Sequence, residues 1–191
     1  MSKNILIVGG TGHQGKPVAE KLKKDGFTVR IFSRDIKRAR EKLGDYFEYY
    51  QGDVLDLDAI TEASRDAYGM HINLNSSTLR EMQKIEYTGT MNCVRAGKAN
   101  DLNRITLISG AGVKRDNLWS PPVKIKWRCE EAIRNSGIPY IIFAPTYFMN
   151  GLPAYIKGDR AMIIGKQTRK IRWLSVNDYA DLVSKAYSSQ N

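Results

Sequence analysis

Two cysteines and two histidines are all that 191 residues contain, and that scarcity removes several classes of protein at once. Cys93 and Cys129 fall in separate helix-like stretches and in no C-x-x-C pair, so they are expected as buried, reduced thiols, not a disulfide framework. His13 and His71 lie far apart, and no Cys/His cluster has metal-ligand spacing, so no metal site is expected. No apolar run approaches the length needed to cross a membrane, and strand-like sequence begins by residue 4 without an apolar signal region; a soluble, cytoplasmic protein is the expectation. Repeats, low-complexity tracts and Ser/Gly/Pro-rich linkers are also missing, which points to one domain over residues 1–191. Acidic residues are in deficit, 20 against 30 basic, for a formal charge of +10. That balance favours anionic partners such as phosphorylated cofactors, acidic substrates or nucleic acid. For nucleic acid the case rests on charge alone, with no helix-turn-helix, RNP or zinc pattern beside it, and it is disfavoured.

Strand-like runs alternate with helical ones along most of the chain. Ile5–Val8, Thr28–Ser33, Phe47–Gln51, Ile72–Asn75, Ile105–Ser109 and Tyr140–Phe143 read as strands, and helical patterns fall near 15–25, 36–43, 56–67, 79–99 and 122–136. That order makes βαβ units, hence an α/β protein with a parallel sheet covered by helices on both faces. Gly26 and Gly137 stand at expected helix ends, and Pro17 sits in a first helical turn where its missing N–H costs nothing. Beyond Phe143 the pattern loosens, with short strand candidates at 161–164 and 170–174 and a last helix from about Asn177.

The stretch "ILIVGGTGHQGKPVAEKLKKDGF" (Ile5 to Phe27) places Gly9, Gly12 and Gly15 between a buried strand and a helix. Such glycines permit a tight turn and close backbone approach, and the helix end offers free N–H groups to an anion, an arrangement suited to a dinucleotide pyrophosphate. The end of the second strand, "VRIFSRD", bears on which dinucleotide. A free 2′-hydroxyl calls for a carboxylate there, a 2′-phosphate for a cation. Ser33 and Arg34 occupy the position, with Lys37 and Arg38 following, so NADP is expected over NAD; the adjacent Asp35 turning inward would reverse the preference. Arg40 and Lys42 are read as a solvated helix face.

Together, "VGGTGHQGKPVAEKL", "FSRD", "GDVLD" at 52–56, "ISGAGV" at 108–113, "KWRCEEAIRNSGIPYIIFAPTYFMNG" at 126–151 and "VNDYADLV" at 176–183 resemble an atypical short-chain dehydrogenase/reductase of the NmrA-like, NAD(P)H-binding branch. The resemblance implies a Rossmann-type, doubly wound, three-layer αβα fold with the cofactor across the strand C-termini. Asp53 and Val54 would flank the adenine, and Thr11, His13 and Gln14 would line the phosphates, although His13 reads equally as an exposed loop residue. Asn75 at the end of a polar fourth strand, Lys126, Pro145 and Tyr147 complete the expected cofactor contacts. A minimal substrate-facing region is expected in about 144–175, walled by Thr146, Tyr147, Phe148, Met149, Trp119 or Trp127, in an extent closer to single-domain flavin and biliverdin-type reductases.

The sequence departs from that family's chemistry at one point. Its dehydrogenases use Tyr-x-x-x-Lys, the tyrosine protonating the substrate oxygen, yet none of the ten tyrosines has a lysine four residues on. With Lys126 in the lysine position, the residue four earlier is Pro122. Lys126 then either reaches the nicotinamide ribose or pairs with Glu130 on the surface, and Ser109 either bonds a substrate or caps a loop; these two are the candidate catalytic residues. The usual Arg-Pro after the sixth strand appears as Ala144-Pro145. Gly89, costly inside a helix, points to close helix–sheet or subunit packing. Two readings stand: hydride transfer from NADP(H) to a quinone, flavin or similar planar acceptor, and a non-enzymatic NADP(H) sensor that reports to a protein partner. A homo-oligomer is compatible with both.

Overall fold

The computed structural model describes residues 3–161 and 172–189. Its centre is a six-stranded parallel sheet in the order β3-β2-β1-β4-β5-β6, made by Asn4–Val8 (β1), Thr28–Ser33 (β2), Glu48–Gln51 (β3), Gly69–Ile72 (β4), Arg104–Ile108 (β5) and Tyr140–Phe143 (β6). The strand order reverses between β1 and β4, and in open α/β sheets ligands bind at that switch, outside the strand C-termini.

Alternation along β1 explains the layers. Ile5 and Ile7 pack on one side with Val18, Ala19 and Leu22 of helix α1 (Gly15–Lys24), Leu43 of α2 (Ile36–Leu43) and Tyr179, Val183 and Tyr187 of α7 (Val176–Ser188). Leu6 and Val8 point the other way, onto Ile60 of α3 (Leu57–Ala63), Cys93 and Ala96 of α5 (Gly89–Ala99) and Cys129 and Ile133 of α6 (Pro121–Arg134). A central strand buried on both faces needs apolar residues at every position, as ILIV provides. The single Rossmann-type domain expected from the sequence is therefore the one observed.

Three local expectations are corrected. The fourth strand is Gly69–Ile72, not Ile72–Asn75. Gly69 is required there because a Cβ would lie 2.6 Å from the Tyr187 ring and 2.7 Å from the Arg104 carbonyl, and His71 is wholly buried among partners; neither residue type advertises a strand. The polar Asn73 and Asn75 follow the ladder at its ligand-binding end. The helix read over 79–99 is a short α4 (Leu79–Glu81), a π-helical stretch Met82–Thr88, then α5. Thr78 opens it with a reciprocal capping box to Glu81. Gly89 sits where a Cβ would meet Val54 Cγ2 at 2.7 Å, so helix packing against the β3–α3 connection demands it. Of the two late strand candidates, Arg160–Ala161 (β9) pairs antiparallel with Ile156–Lys157 (β8), and Trp173–Leu174 (β10) pairs parallel with Tyr147–Phe148 (β7); residues 162–171 lie outside the described residues.

His71 ties the sheet to the last helix. Its Nδ1 lies 2.8 Å from Thr106 Oγ1, its Nε2 3.3 Å from the Tyr179 hydroxyl, and Thr106 Oγ1 is 2.9 Å from the Tyr187 hydroxyl. Burial lowers the imidazole to about 3, against an ordinary value near 6.5. Between those values the unfolded chain binds a proton that the folded chain refuses, so stability falls as pH drops below about 6.5. Urea unfolding should show about 2 kcal/mol lost from this group between pH 7 and pH 5, and a His71→Gln variant should lack that increment; an identical pH slope in both proteins would refute the assignment.

Candidate functional site

A cleft of about 450 Å³ runs across the C-terminal ends of β1 to β4. Its floor is the β1–α1 turn. Gly9 has φ +90°, and a Cβ on it would lie 2.2 Å from the Asn73 carbonyl oxygen. A Cβ on Gly15 would lie 2.2 Å from the Gly9 carbonyl and 2.9 Å from Asn73 Nδ2. Gly12 differs, because the nearest atom to its Cβ would be the Gly9 carbonyl at 3.4 Å, an ordinary contact. The fold therefore requires glycine at 9 and 15, whereas at 12 the missing side chain keeps the cleft open. No side chain caps α1 at Gln14; the Lys16 N–H is spent on the Gly12 carbonyl at 3.0 Å and Pro17 has none, so the Gly15 N–H and the positive end of the helix are what the turn offers an anion.

Thr11, Gly12, His13 and Gln14 line this end of the cleft, with His13 exposed. The opposite end holds Ser33, Arg34, Asp35, Arg38, Lys42, Asp53 and Val54, and Asn73, Leu74 and Asn75 form the side toward β4. Asp35 lines the cleft but has one oxygen engaged: its Oδ1 accepts from the Arg38 backbone N–H at 2.9 Å as the N-cap of α2. Ser33 Oγ is engaged with the Asp35 backbone at 3.1 and 3.3 Å. Among the described residues no carboxylate pairs with Arg34, Arg38 or Lys42. Asp53 Oδ1 accepts from the Leu55 N–H at 2.9 Å, and Asn92 Nδ2 holds the Val54 carbonyl at 3.1 Å; both fix the β3–α3 connection beside the cleft.

Lys37 does not line the cleft; Arg38 and Lys42 do, being four residues apart on one face of α2. Lys42, read as part of a solvated face, is exposed as expected and also lines the cleft, which helical spacing from Asp35 would have found. Arg40 points elsewhere, pairing with Asp45 at 2.6 Å and lying over the Tyr49 ring.

Lys126 and Ser109 stand beyond this cleft, at a much smaller cavity of about 10 Å³ past the ends of β4 and β5 that shares Leu74 with it. Of the two alternatives for Lys126, the surface pair with Glu130 is not formed among the described residues: Lys126 Nζ donates to Glu86 Oε2 at 2.8 Å. Glu130 is itself buried, accepting from Ser109 Oγ and, at 2.6 Å, from Arg134. Ser109 thus spends its proton on a carboxylate and keeps only lone pairs for the cavity. Burial raises the Cys129 thiol to about 11 and the Cys93 thiol to about 12, so neither supplies a nucleophile near neutral pH. Pro145 and Tyr147 lie outside both cavities. The Pro145 carbonyl accepts from the Ala111 N–H at 2.9 Å, and the exposed Tyr147 ring packs 5.3 Å from Trp173. Trp119 is 82% exposed, and Trp127 lies under the Arg134 guanidinium. The burial of Glu86 and Glu130 is not legible in the sequence: Glu86 is not singled out there and Glu130 reads as a surface residue, and three of their four partners lie 10 to 40 residues away.

A sequence model described as NAD(P)H-binding matches residues 9–188. The chain belongs to that family. The atypical short-chain dehydrogenase/reductase, NmrA-like resemblance is thereby upheld, and a nicotinamide dinucleotide is the ligand that the glycine turn and uncapped helix suit. Divinyl chlorophyllide a 8-vinyl-reductase of Arabidopsis thaliana is 27% identical over 81% of this chain and 41% of its own length. A photosystem II assembly factor of Guillardia theta is 24% identical over 97% of this chain and 60% of its own. The chain thus spans about half the length of these relatives. In fold it is similar to an NADPH-dependent quinone oxidoreductase from Escherichia coli solved with NADPH, with TM-score 0.75, 21% identity and coverage of 98% of this chain and 65% of that one. Among the described residues no helix is long and apolar enough to cross a membrane.

The contrast among the glycines is testable. Gly15→Ala should destabilise the fold by about 1–3 kcal/mol through overpacking, whereas Gly12→Ala should leave unfolding within about 0.5 kcal/mol of the parent while weakening dinucleotide binding about tenfold or more. Denaturant unfolding and calorimetric titration with NADPH measure the two effects, and comparable destabilisation by both variants would refute the division of roles.

Proposed function

We propose that the protein binds NADP(H) in preference to NAD(H) and is a reductase for a planar acceptor, a quinone, a flavin or a similar conjugated molecule. The observation that carries the cofactor preference is the set of Arg34, Arg38 and Lys42 at one end of the cleft, without carboxylate partners among the described residues, while the α2 cap holds one oxygen of Asp35. In this reading Gly9, Gly12 and Gly15 shape the pyrophosphate turn, Thr11, His13 and Gln14 border the phosphates, Asp53 and Val54 flank the adenine, and Asn75 borders the central cleft. Bound NADPH supplies a hydride. The described residues of the region 144–175, namely 144–161 and 172–175, form the substrate-facing wall, and the protein acts in the cytoplasm.

The choice of acceptor follows from proton supply. Pro122 stands four residues before Lys126, no Tyr-x-x-x-Lys exists, and the Ser109 hydroxyl donates to Glu130. A ketone would develop charge on one oxygen that needs a positioned acid, whereas a quinone or flavin spreads charge over heteroatoms that water can protonate. Reductases among the relatives' names support this class. A sensing or assembly role without turnover is the second reading, favoured by the relative named as an assembly factor.

Arg34→Ala should weaken NADPH binding by roughly 1.5–3 kcal/mol, the range for hydrogen bonds to a charged group, and change NADH binding little; equal losses would refute the 2′-phosphate assignment. NADPH oxidation followed by absorbance across ketones, quinones and flavins should show turnover confined to quinones or flavins. Rapid ketone reduction would overturn the acceptor argument, and no turnover combined with partner capture that depends on cofactor oxidation state would favour the sensor.

A further inference from the structure

The cleft has a direction. Its cationic end lies at β2 and α2, its glycine turn at β1 and its far side at Asn73–Asn75 beyond β4. A dinucleotide with its 2′-phosphate at Arg34 and its pyrophosphate at the α1 N-terminus extends its nicotinamide riboside toward β4 and β5. There the small cavity brings together Leu74, Thr90, Ser109, Lys126, Cys129 and Glu86.

Glu86 is 3% exposed. Both its oxygens are occupied: Oε1 accepts from Ser76 Oγ at 2.6 Å and Oε2 from Lys126 Nζ at 2.8 Å. A carboxylate so buried requires its cation, and Lys126, with a side chain 29% exposed, is thereby drawn to the cavity mouth with further N–H donors unspent. The glutamate lies within the π-helical stretch Met82–Thr88, a conformation rare in proteins and concentrated at functional sites because it re-aims side chains.

We propose that Glu86 is a positioning residue for the nicotinamide-ribose end of the cofactor. It holds the Lys126 ammonium beside the β4–β5 edge so that the remaining donors meet the ribose hydroxyls, and through Ser76 it fixes the segment after β4 that borders the cleft. The inference rests on the NADP(H) reading above. A purely structural ion pair, one that only fastens α6 to the π-helical stretch, would affect every nucleotide alike.

The test separates these roles with two ligands. NADPH carries the nicotinamide riboside; adenosine 2′,5′-bisphosphate carries only the adenosine end. Calorimetric titration of the full chain should show Glu86→Gln and Lys126→Met each weakening NADPH about three- to tenfold, on the scale of one ordinary net hydrogen bond, while the bisphosphate binds within about twofold of the parent. The double variant should bind NADPH no more weakly than Lys126→Met, because Glu86 acts through that lysine. Should Lys126→Met fail to fold with its buried carboxylate unpaired, Glu86→Gln and the double variant, which removes both charges, still decide. Equal losses for both ligands, unchanged NADPH binding in Glu86→Gln, or additive losses in the double variant would overturn the proposal. A parent protein that binds bisphosphate but gains nothing from the nicotinamide half would also overturn it, and one that binds neither ligand would refute the NADP(H) reading beneath it.

Discussion

The backbone of the β1–α1 turn is pressed against the end of β4, and this contact sets the geometry of the cleft. Gly9 meets the Asn73 carbonyl, and Gly15 meets Gly9 and the Asn73 side chain, at separations that exclude any Cβ. The Asn73 N–H in turn bonds the Val8 carbonyl at 2.9 Å, continuing the β1–β4 pairing one residue past the strand. Because the sheet reverses its strand order here, the helices that follow β1 and β4, α1 and α5, lie on opposite faces, and the uncapped N-terminus of α1 opens into the gap between them. Strand pairing, helix approach and anion affinity thus share one cause, the absence of side chains at two positions.

Charge is distributed by the same economy of space. Arg34, Arg38 and Lys42 at the β2–α2 end of the cleft stay exposed and have no carboxylate partner among the described residues, so their desolvation cost is small and their field is available to an anion. Carboxylates at the other end are buried, and each has acquired a serine from the segment after a strand and a cation from α6: Ser76 and Lys126 for Glu86, Ser109 and Arg134 for Glu130. A buried carboxylate stripped of its cation costs about 3–5 kcal/mol, so these pairs constrain α6 and the strand ends together. The arrangement also commits the Ser109 hydroxyl proton to Glu130, the observation on which the proposed choice of acceptor rests.

Helix α7 closes the opposite face. Tyr179 and Tyr187 are buried against the sheet, reach His71 and Thr106 by hydrogen bonds, and the Phe143 and Phe148 rings pack 5.5 Å from Tyr179. The last helix therefore links the central strands to the β7 segment near the region assigned to substrate.

Periodicity and local chemistry were enough to read the layers, the parallel sheet, the glycine turn and the cationic end, because each depends on residues close in sequence: ILIV alternates, the glycines fall at fixed offsets, and "FSRD" ends a strand. The strand Gly69–Ile72 was hidden, since glycine and histidine enter it only to suit Tyr187, Arg104 and Thr106 from distant elements. Lys42 reached the cleft through helix phase, and a cap took one oxygen of Asp35; both were within reach of spacing arguments. The partner of Lys126 was not. Glu130 lies four residues away and Glu86 forty, and local spacing favours the nearer one, but packing of α6 against the π-helical stretch buried Glu86 within reach of the ammonium and turned Glu130 toward Ser109 and Arg134. Sequence alone determined which groups were available; only tertiary structure decided which carboxylate met which cation, because the cost of burying a charge is set by neighbours that the fold assembles.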